Sequence, residues 1–552
     1  MALTACRRPY DYSVVHVAVR TIAAVVTVSL SVYAMSASPA LVNESEPPSP
    51  TTNALKQGVA WVYLSLIIQA LSKGVVVVAL TRLLDPSDFG LLGIALIFTS
   101  LAERFGSVGV GPSVVQVERL SRDDRRTAEV LSVLSGVAVA GMLWVLAPFI
   151  AAFFRQPQVE FILQVMALGF VLDGFGVVPE AILQRQLLFR VLMVIENVAY
   201  VFGQLVIATC LAWSGYGVWA LVAGNLSFRL IKLCGVVLYT PVGPGGGVFS
   251  FASAKALIDR GIGFSLGRIL NFFSLQGDNF VVGRVLGADA LGMYTRAYQL
   301  MSLPAMYVGQ VFDRVLFPAV AREQGDAGRV RRSLLASLEL VACISLPTAV
   351  VMFICAEEVI GTLFGERWLH IVPVVSVLSL GVFFRTAYKC ADTLVKSLGA
   401  VYQHAFRQAL YTTLVLIGSL IGAQLMGLTG VAWAVVLAVA VHYAVITELA
   451  VKMTGVRWIE IAQAHVPAAW ISSWVAVGLS VLRRIPQFYT IESSLSRLSL
   501  ELIISCLWAL AAYRFGGPLT QGAVVPEMLK RLAVSRSRIA GRLARIGAKA
   551  SR

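Results

Sequence analysis

The chain has 552 residues, 58% of them hydrophobic and 14% charged, where soluble domains run at about 45–50% apolar and about 25% charged. Its mean hydropathy is +0.79, and its 45 Lys and Arg against 30 Asp and Glu leave a net charge of +15. These values exclude a soluble multidomain enzyme and a disordered scaffold, and they point to an all-α polytopic membrane protein. The seven Cys include no CxxC pair; Cys210, Cys234, Cys343, Cys355, Cys390 and Cys506 lie in or beside apolar stretches and read as packing residues.

In chain order, residues 1–55 come first. Arg7 and Arg8 precede an apolar run over 21–42, and a polar, proline-bearing linker follows. The reading frame is expected to start in earnest near Met35, with 1–34 an upstream extension; the alternative is a cleaved or weakly inserted signal-like segment. After residue 55, apolar stretches fall at 58–81, 89–112, 129–154, 160–183, 192–213, 216–241, 261–282, 293–320, 334–355, 369–396, 407–426, 428–451, 465–482 and 498–514. Each suits the roughly 20 helical residues that span a hydrocarbon core, so about fourteen transmembrane helices are expected. Turn signals such as Asp85-Pro86-Ser87-Asp88 and the 241–247 Gly/Pro run separate them.

Basic residues crowd alternate loops: Arg119, Arg122, Arg125 and Arg126; Arg185 and Arg190; Lys255 and Arg260; Arg322, Arg329, Arg331 and Arg332; Lys452 and Arg457; then the tail. The positive-inside rule places these, and both ends of the helical body, in the cytoplasm. The excess charge is thus a topology signal, and no nucleic-acid partner is expected. In the tail, Leu529, Leu532, Ile539, Leu543 and Ile546 recur at helical spacing among arginines. That is the pattern of an interfacial helix on anionic inner-leaflet lipids, with a solvated basic tail as the alternative.

Two segments share the pattern R-[LV]-L-x4-[FL]-G: Arg82–Gly90 ends the first span and Arg284–Gly292 ends the seventh. Six spans separate them, so both copies run the same way through the membrane. Two parallel six-helix lobes follow, an architecture used by alternating-access transporters. The expected plan is an N-lobe over 56–241, a Gly/Pro linker over 242–255, a C-lobe over 256–453, a helix pair over 454–514 and a tail over 515–552.

Ionised side chains inside a bilayer cost about 2.5–3.5 kcal/mol each on insertion scales, and so should face a cavity or a partner. Here they form stripes: Arg268, Asn271 and Asp278 in the seventh span; Arg385, Lys389, Asp392 and Lys396 in the tenth; Asn225, Arg229 and Lys232 in the sixth; Lys73 in the first; and Glu103 with Arg104 in the second. Arg268, Arg385, Lys389, Arg229, Arg104, Lys73 and Asn271 are the expected lining of a basic cavity, because guanidinium forks suit phosphate oxygens. The alternative is interhelical ion pairing, for instance Arg268 with Asp278 or Arg385 with Asp173. Asp278, Asp313, Asp173, Glu180 and Glu196 are the candidates for a proton or Na⁺ coupling site.

The sequence has no G-x-x-x-x-G-K-[ST] and no HExxH, and its five His are scattered without ligand spacing. No cofactor, metal or catalytic residue is expected.

Thr81–Leu91, Gly277–Gly287, Leu291–Tyr298 and Val315–Ala319 together strongly resemble the corresponding helix ends of Wzx-type polysaccharide exporters, of the branch that moves colanic-acid or teichuronic-acid type repeat units. That resemblance covers about residues 56–450. It implies a flippase of the multidrug/oligosaccharidyl-lipid/polysaccharide superfamily in the bacterial inner membrane. The implied cargo is undecaprenyl-diphosphate-linked oligosaccharide, moved for exopolysaccharide or capsule synthesis. It also implies a two-lobe body with a cationic cavity, a C-terminal helix pair that receives the lipid tail, and a polysaccharide polymerase and chain-length regulator as partners. A cation-coupled drug or metabolite antiporter of the same superfamily, and a membrane glycan polymerase or ligase, are the alternatives.

Overall fold

The computed structural model describes residues 72–106, 110–117, 120–240, 248–251, 254, 265–311, 326–489, 491 and 493–517. The N-terminal extension, most of the 242–255 linker, Asp313 and nearly all of the basic tail lie outside the described residues, as do the side chains of Arg268 and Asn271. The described residues are helical throughout, without a strand. In chain order the helices are α1 (72–83), α2 (Pro86–Gly106), α3 (Val110–Gln116), α4 (Arg122–Phe154), α5 (Gln158–Arg185), α6 (Phe189–Trp213) and α7 (Val218–Tyr239), then α8 (Ser265–Val285), α9 (Ala288–Val311), α10 (Ala327–Ile354) and α11 (Ala356–Leu363). A 3₁₀ turn over Glu366–Ile371 leads into α12 (Val372–Ser397). The continuous helical stretch Val401–Thr454 is broken at Gly427 into α13 (401–426) and α14 (428–454), and α15 (Trp458–Arg483), α16 (Pro486–Tyr489) and α17 (Ser494–Phe515) complete the series.

Local chemistry sets several of these boundaries. Ser121 and Asp124 form a reciprocal capping box: Ser121 Oγ accepts from the Asp124 N–H at 3.0 Å, and Asp124 accepts from the Ser121 N–H at 3.2 Å. Helix α4 then runs for 33 residues, roughly 50 Å at 1.5 Å per residue, which exceeds a hydrocarbon core of about 30 Å. Its charged first turns, Arg122 to Arg126, therefore project into water. Gly427 has φ +60°, a left-handed conformation open to glycine, and it reverses the chain. Gly422 and Gly430 then meet backbone to backbone, so α13 and α14 form a tight antiparallel hairpin. Within α6 the turns over Val201–Ile207 widen to a π-helix.

Among the described residues, ten stretches are long and apolar enough to cross a membrane. One of them, Tyr402–Thr454, is the two-armed hairpin. Helices α8 and α9 stand outside the ten; α8 carries Arg268, Asp278 and Arg284, and α9 carries Asp289 and Arg296. Large apolar side chains point outward, among them Trp144 at 58%, Val145 at 68% and Phe149 at 69% exposure on α4. An apolar exterior on that scale needs lipid around it, and the protein is a multi-pass membrane protein.

The described residues group into two compact units. The first takes those up to Phe272 together with Leu286–Met293; the second takes Phe273–Val285 and everything from Tyr294 onward. In the first, α4 packs along α5, and α5 along α7. In the second, Leu334 and Leu338 of α10, Ala391 and Leu394 of α12, Ile446 and Leu449 of α14 and Ile461 of α15 make one buried core.

Candidate functional site

In the first unit the polar stripes of α2, α5 and α7 meet at Arg229. Its guanidinium contacts Asp173 and lies 2.7 Å from Glu103, with Nε donating to Asn225 Oδ1 at 3.1 Å. The same group covers the Phe170 ring at 5.6 Å, and Gly169 leaves room for its stem, since a Cβ there would come within 2.8 Å of Arg229 Cδ. One turn further along α7, Lys232 pairs with Glu180 at 3.0 Å. Asp173 and Glu180, two of the coupling candidates, are therefore partners of cavity-type cations in this unit. Asp173 pairs with Arg229, not with Arg385 as the ion-pair alternative supposed. Glu196 sits half-buried on α6.

Arg104 and Lys73 are held differently. Arg104 covers the Phe272 ring at 5.4 Å, and its buried Nε has no hydrogen-bond partner among the described residues. Lys73 is exposed and stands 6.0 Å from the Tyr200 ring, one residue before the π-helical turns. Neither forms an ion pair among the described residues. Both are cations resting on aromatic faces, a contact worth about 0.5–2 kcal/mol according to exposure.

The second unit holds a buried polar cluster on α8, α9, α12, α13 and α14. Asp278 accepts a hydrogen bond from the Tyr294 hydroxyl at 2.8 Å and is itself 2% exposed. Arg385, 4% exposed, donates to the Tyr411 hydroxyl at 2.7 Å and covers the rings of Tyr298 at 5.4 Å and Tyr388 at 6.0 Å. Lys389 lies 4.9 Å from the Tyr388 centroid. Among the described residues neither Arg385 nor Lys389 has a carboxylate within ion-pair distance. At the end of α12, Asp392 contacts His404 and pairs with Lys396 at 2.8 Å. The His442 ring packs between Tyr411, at 4.5 Å, and Tyr388, at 5.0 Å.

Asp278 of the α8 stripe and the α12 stripe thus lie inside one unit. The residues that spacing missed are Tyr294, Tyr298, Tyr388, Tyr411 and His442. Tyr294 and Tyr298 stand one turn apart on α9 and Tyr388 one turn from Arg385 on α12, whereas Tyr411 and His442 have no such neighbour on their own helices, and tyrosine in an apolar helix is read by default as core. A separate site at the ends of α11, α15 and α17 explains Arg483: it holds the buried carboxylates of Glu358 at 2.5 Å and Glu501 at 2.8 Å.

Buried cations without acid partners are costly to keep. An anion entering the cluster would relieve that cost through charge-assisted hydrogen bonds. The geometry is suited to binding an anionic group.

Among curated proteins, the chain is similar to the lipopolysaccharide biosynthesis protein WzxC of Escherichia coli strain K12. The two are 26% identical over 385 residues, covering 68% of this chain and 76% of that one. The teichuronic acid biosynthesis protein TuaB of Bacillus subtilis strain 168 matches at 25% identity, covering 60% and 68%. The succinoglycan biosynthesis transport protein ExoT of Rhizobium meliloti strain 1021 matches at 28%, covering 60% and 67%. In fold, the chain is similar to the lipid II flippase MurJ in an inward closed conformation, with a TM-score of 0.63 at 13% identity, covering 82% of this chain and 99% of that one. An inward-facing multidrug resistance MATE family transporter gives 0.55 at 16%, covering 72% and 98%. The model of the family described as polysaccharide biosynthesis protein matches residues 79–373, more than half of the sequence, and the chain belongs to that family, with the Wzx-type exporters its loops resemble.

Proposed function

We propose that the protein flips polyprenyl-diphosphate-linked oligosaccharide repeat units from the inner to the outer leaflet of the bacterial inner membrane, for exopolysaccharide or capsule synthesis. Sugar and diphosphate cannot cross hydrocarbon unaided, whereas a polyprenyl tail can stay in it. The protein shelters the polar part in a basic, wet chamber and exposes it to one leaflet at a time. Arg385 and Lys389 offer the diphosphate its charge partners; Arg104, Arg229, Lys73, Arg268 and Asn271 are the further candidates named from the sequence. The observation that carries this reading is the presence, in a member of an exporter family, of a buried Arg385 and a half-buried Lys389 with no carboxylate within ion-pair distance among the described residues.

The two-lobe plan belongs to the same proposal: residues 56–241 and 256–453 as six-helix lobes, 454–514 as an appended pair, about fourteen helices in all, and both ends in the cytoplasm. The basic tail rests on anionic lipid. A polymerase and a chain-length regulator take the product outside. Energy comes from an ion gradient, with Asp278 the foremost coupling acid, or from consumption of the flipped product.

The test is leaflet-specific accumulation of lipid-linked repeat units in a deletion strain. Loss of the protein should leave the units facing the cytoplasm, and Arg385→Ala or Lys389→Ala should restore export poorly. Wild-type leaflet distribution in the deletion strain would refute the function. Normal export by both variants would refute the site.

A further inference from the structure

Two ion-paired arginines of this molecule have opposite surroundings. Arg483 holds Glu358 and Glu501 at 4% and 0% side-chain exposure, a pairing closed off between helices. Arg229 holds Glu103 and Asp173, yet these carboxylates are 48% and 43% exposed, and the Glu180 that pairs with Lys232 is 31% exposed. Asp173 and Arg229 stand near the middle of α5 and α7, both long and apolar enough to span the membrane. An ionised group at that depth is too costly to leave against hydrocarbon and turns to a partner or to water. The open side of Glu103 and Asp173 is therefore a wet wall of the first unit.

The neighbouring helix adds uncharged amides to that wall. Helix α6 widens to a π-helix over Val201–Ile207, a distortion frequent at functional sites. There Gly203 and Gly224 bring α6 and α7 into backbone contact: a Cβ at Gly203 would lie 2.5 Å from the Phe228 nitrogen, and one at Gly224 would lie 3.2 Å from the Gly203 carbonyl oxygen. Gln204 is thereby set against α7, its Oε1 3.5 Å from where a Gly224 Cβ would stand, one residue before Asn225. Among the described residues the half-buried Gln204 amide has no hydrogen bond. Asn225 accepts from Arg229 through Oδ1, which leaves its amide hydrogens to donate.

These groups select a class of ligand. Two carboxylates around one guanidinium leave an excess of negative charge, which turns a diphosphate away. Arg229 already stands between the carboxylates, in the place a metal cation would need. What remains is a neutral ligand that both donates and accepts hydrogen bonds, as a hydroxyl does. Carboxylates take hydroxyl hydrogens in charge-assisted bonds, and amides answer the hydroxyl oxygens. A polyhydroxylated sugar fits that set.

We infer that Glu103, Asp173, Gln204 and Asn225 form a saccharide-binding wall in the first unit, which hydrogen-bonds the hydroxyls of the exported repeat unit and discriminates between repeat units. A site built to hydrogen-bond particular hydroxyls rejects a ligand that lacks them. This inference rests on the reading of the protein as a flippase and on the assignment of the diphosphate to Arg385 and Lys389.

The experiment is native mass spectrometry of the purified full-length chain in detergent, titrated with two lipids: undecaprenyl diphosphate, which carries no sugar, and the saccharide-bearing lipid extracted from the deletion strain. Wild type should bind the saccharide-bearing lipid about ten- to a hundredfold more tightly, as one or two hydrogen bonds to charged groups would give. Glu103→Leu and Gln204→Leu should each reduce that preference by about fivefold or more and still bind undecaprenyl diphosphate within about twofold of wild type, which also shows that they are folded. Arg385→Met should weaken both lipids by the same factor. Equal affinity of wild type for the two lipids overturns the inference. So does a preference that survives intact in both Glu103→Leu and Gln204→Leu, or one that is lost only in Arg385→Met. If wild type binds neither lipid, or the deletion strain accumulates no saccharide-bearing lipid, the flippase reading itself fails, a result distinct from loss of the sugar site alone.

Discussion

Gly90, early in α2, and Gly292, early in α9, close on one another within the first unit: a Cβ built at Gly90 would stand 1.7 Å from the Ala288 carbonyl oxygen, and one at Gly292 would stand 1.8 Å from that of Pro86 and 2.9 Å from the Gly90 nitrogen. These are the last residues of the two copies of the repeated motif. The internal repeat is thus also a contact, in which each copy supplies the glycine that lets the other's backbone approach.

Replacing either glycine with alanine must therefore displace backbone, which no side-chain rotation can avoid. Gly90→Ala and Gly292→Ala should each destabilise the protein by about 3 kcal/mol or more, at the severe end for a single substitution. Gly141→Ala, where nothing lies within 4 Å of the added methyl, should hold or slightly raise stability, because alanine favours helix. Thermal unfolding of the three variants in detergent checks the contrast, and equal melting temperatures would dispose of the contact.

Arg483 neutralises two carboxylates that are themselves almost fully buried, Glu358 at 4% and Glu501 at 0% side-chain exposure. Arg483→Met should cost about 3–5 kcal/mol, the penalty for breaking a buried pair from one side. Adding Glu501→Gln should recover part of that loss. A double variant no more stable than Arg483→Met would argue against the clasp.

Arg385 has the opposite balance. No carboxylate pairs with it among the described residues, so Arg385→Met should leave stability unchanged within about 1 kcal/mol, or raise it, while export falls. Measuring melting temperature and polysaccharide export on the same variant separates the two effects. A large loss of stability would mean that Arg385 serves the packing rather than the cargo.

At Arg229 the acids are half-exposed, with Glu103 at 48% and Asp173 at 43% side-chain exposure, so solvent weakens the pairing. A double-mutant cycle of Arg229→Gln with Asp173→Asn should return a coupling of about 1 kcal/mol or less. A coupling of several kcal/mol would mark the pair as desolvated.

The membrane class, the repeat and the polar stripes were legible in the sequence, because each depends on residues close along one chain: hydropathy over a window, a motif compared with itself, a face of a single helix. Asp278, Arg385 and Lys389 were selected this way, and they do share a unit. Asp173 and Arg229 were also selected, as an acid for coupling and a base for binding, and spacing along α5 and α7 could not reveal that they touch. Tyr294, Tyr388, Tyr411 and His442 went unread because a buried aromatic looks the same in sequence whether it meets a leucine or a guanidinium.

By itself, then, the sequence determined that this chain lives in lipid, repeats a motif and carries charge where charge is expensive, since apolar transfer and helical period act residue by residue. Which cations are neutralised and which stay without an acid was decided only by tertiary structure. That depends on the helices brought side by side, and a few ångströms between a guanidinium and a carboxylate separate an ion pair from a cation held without one.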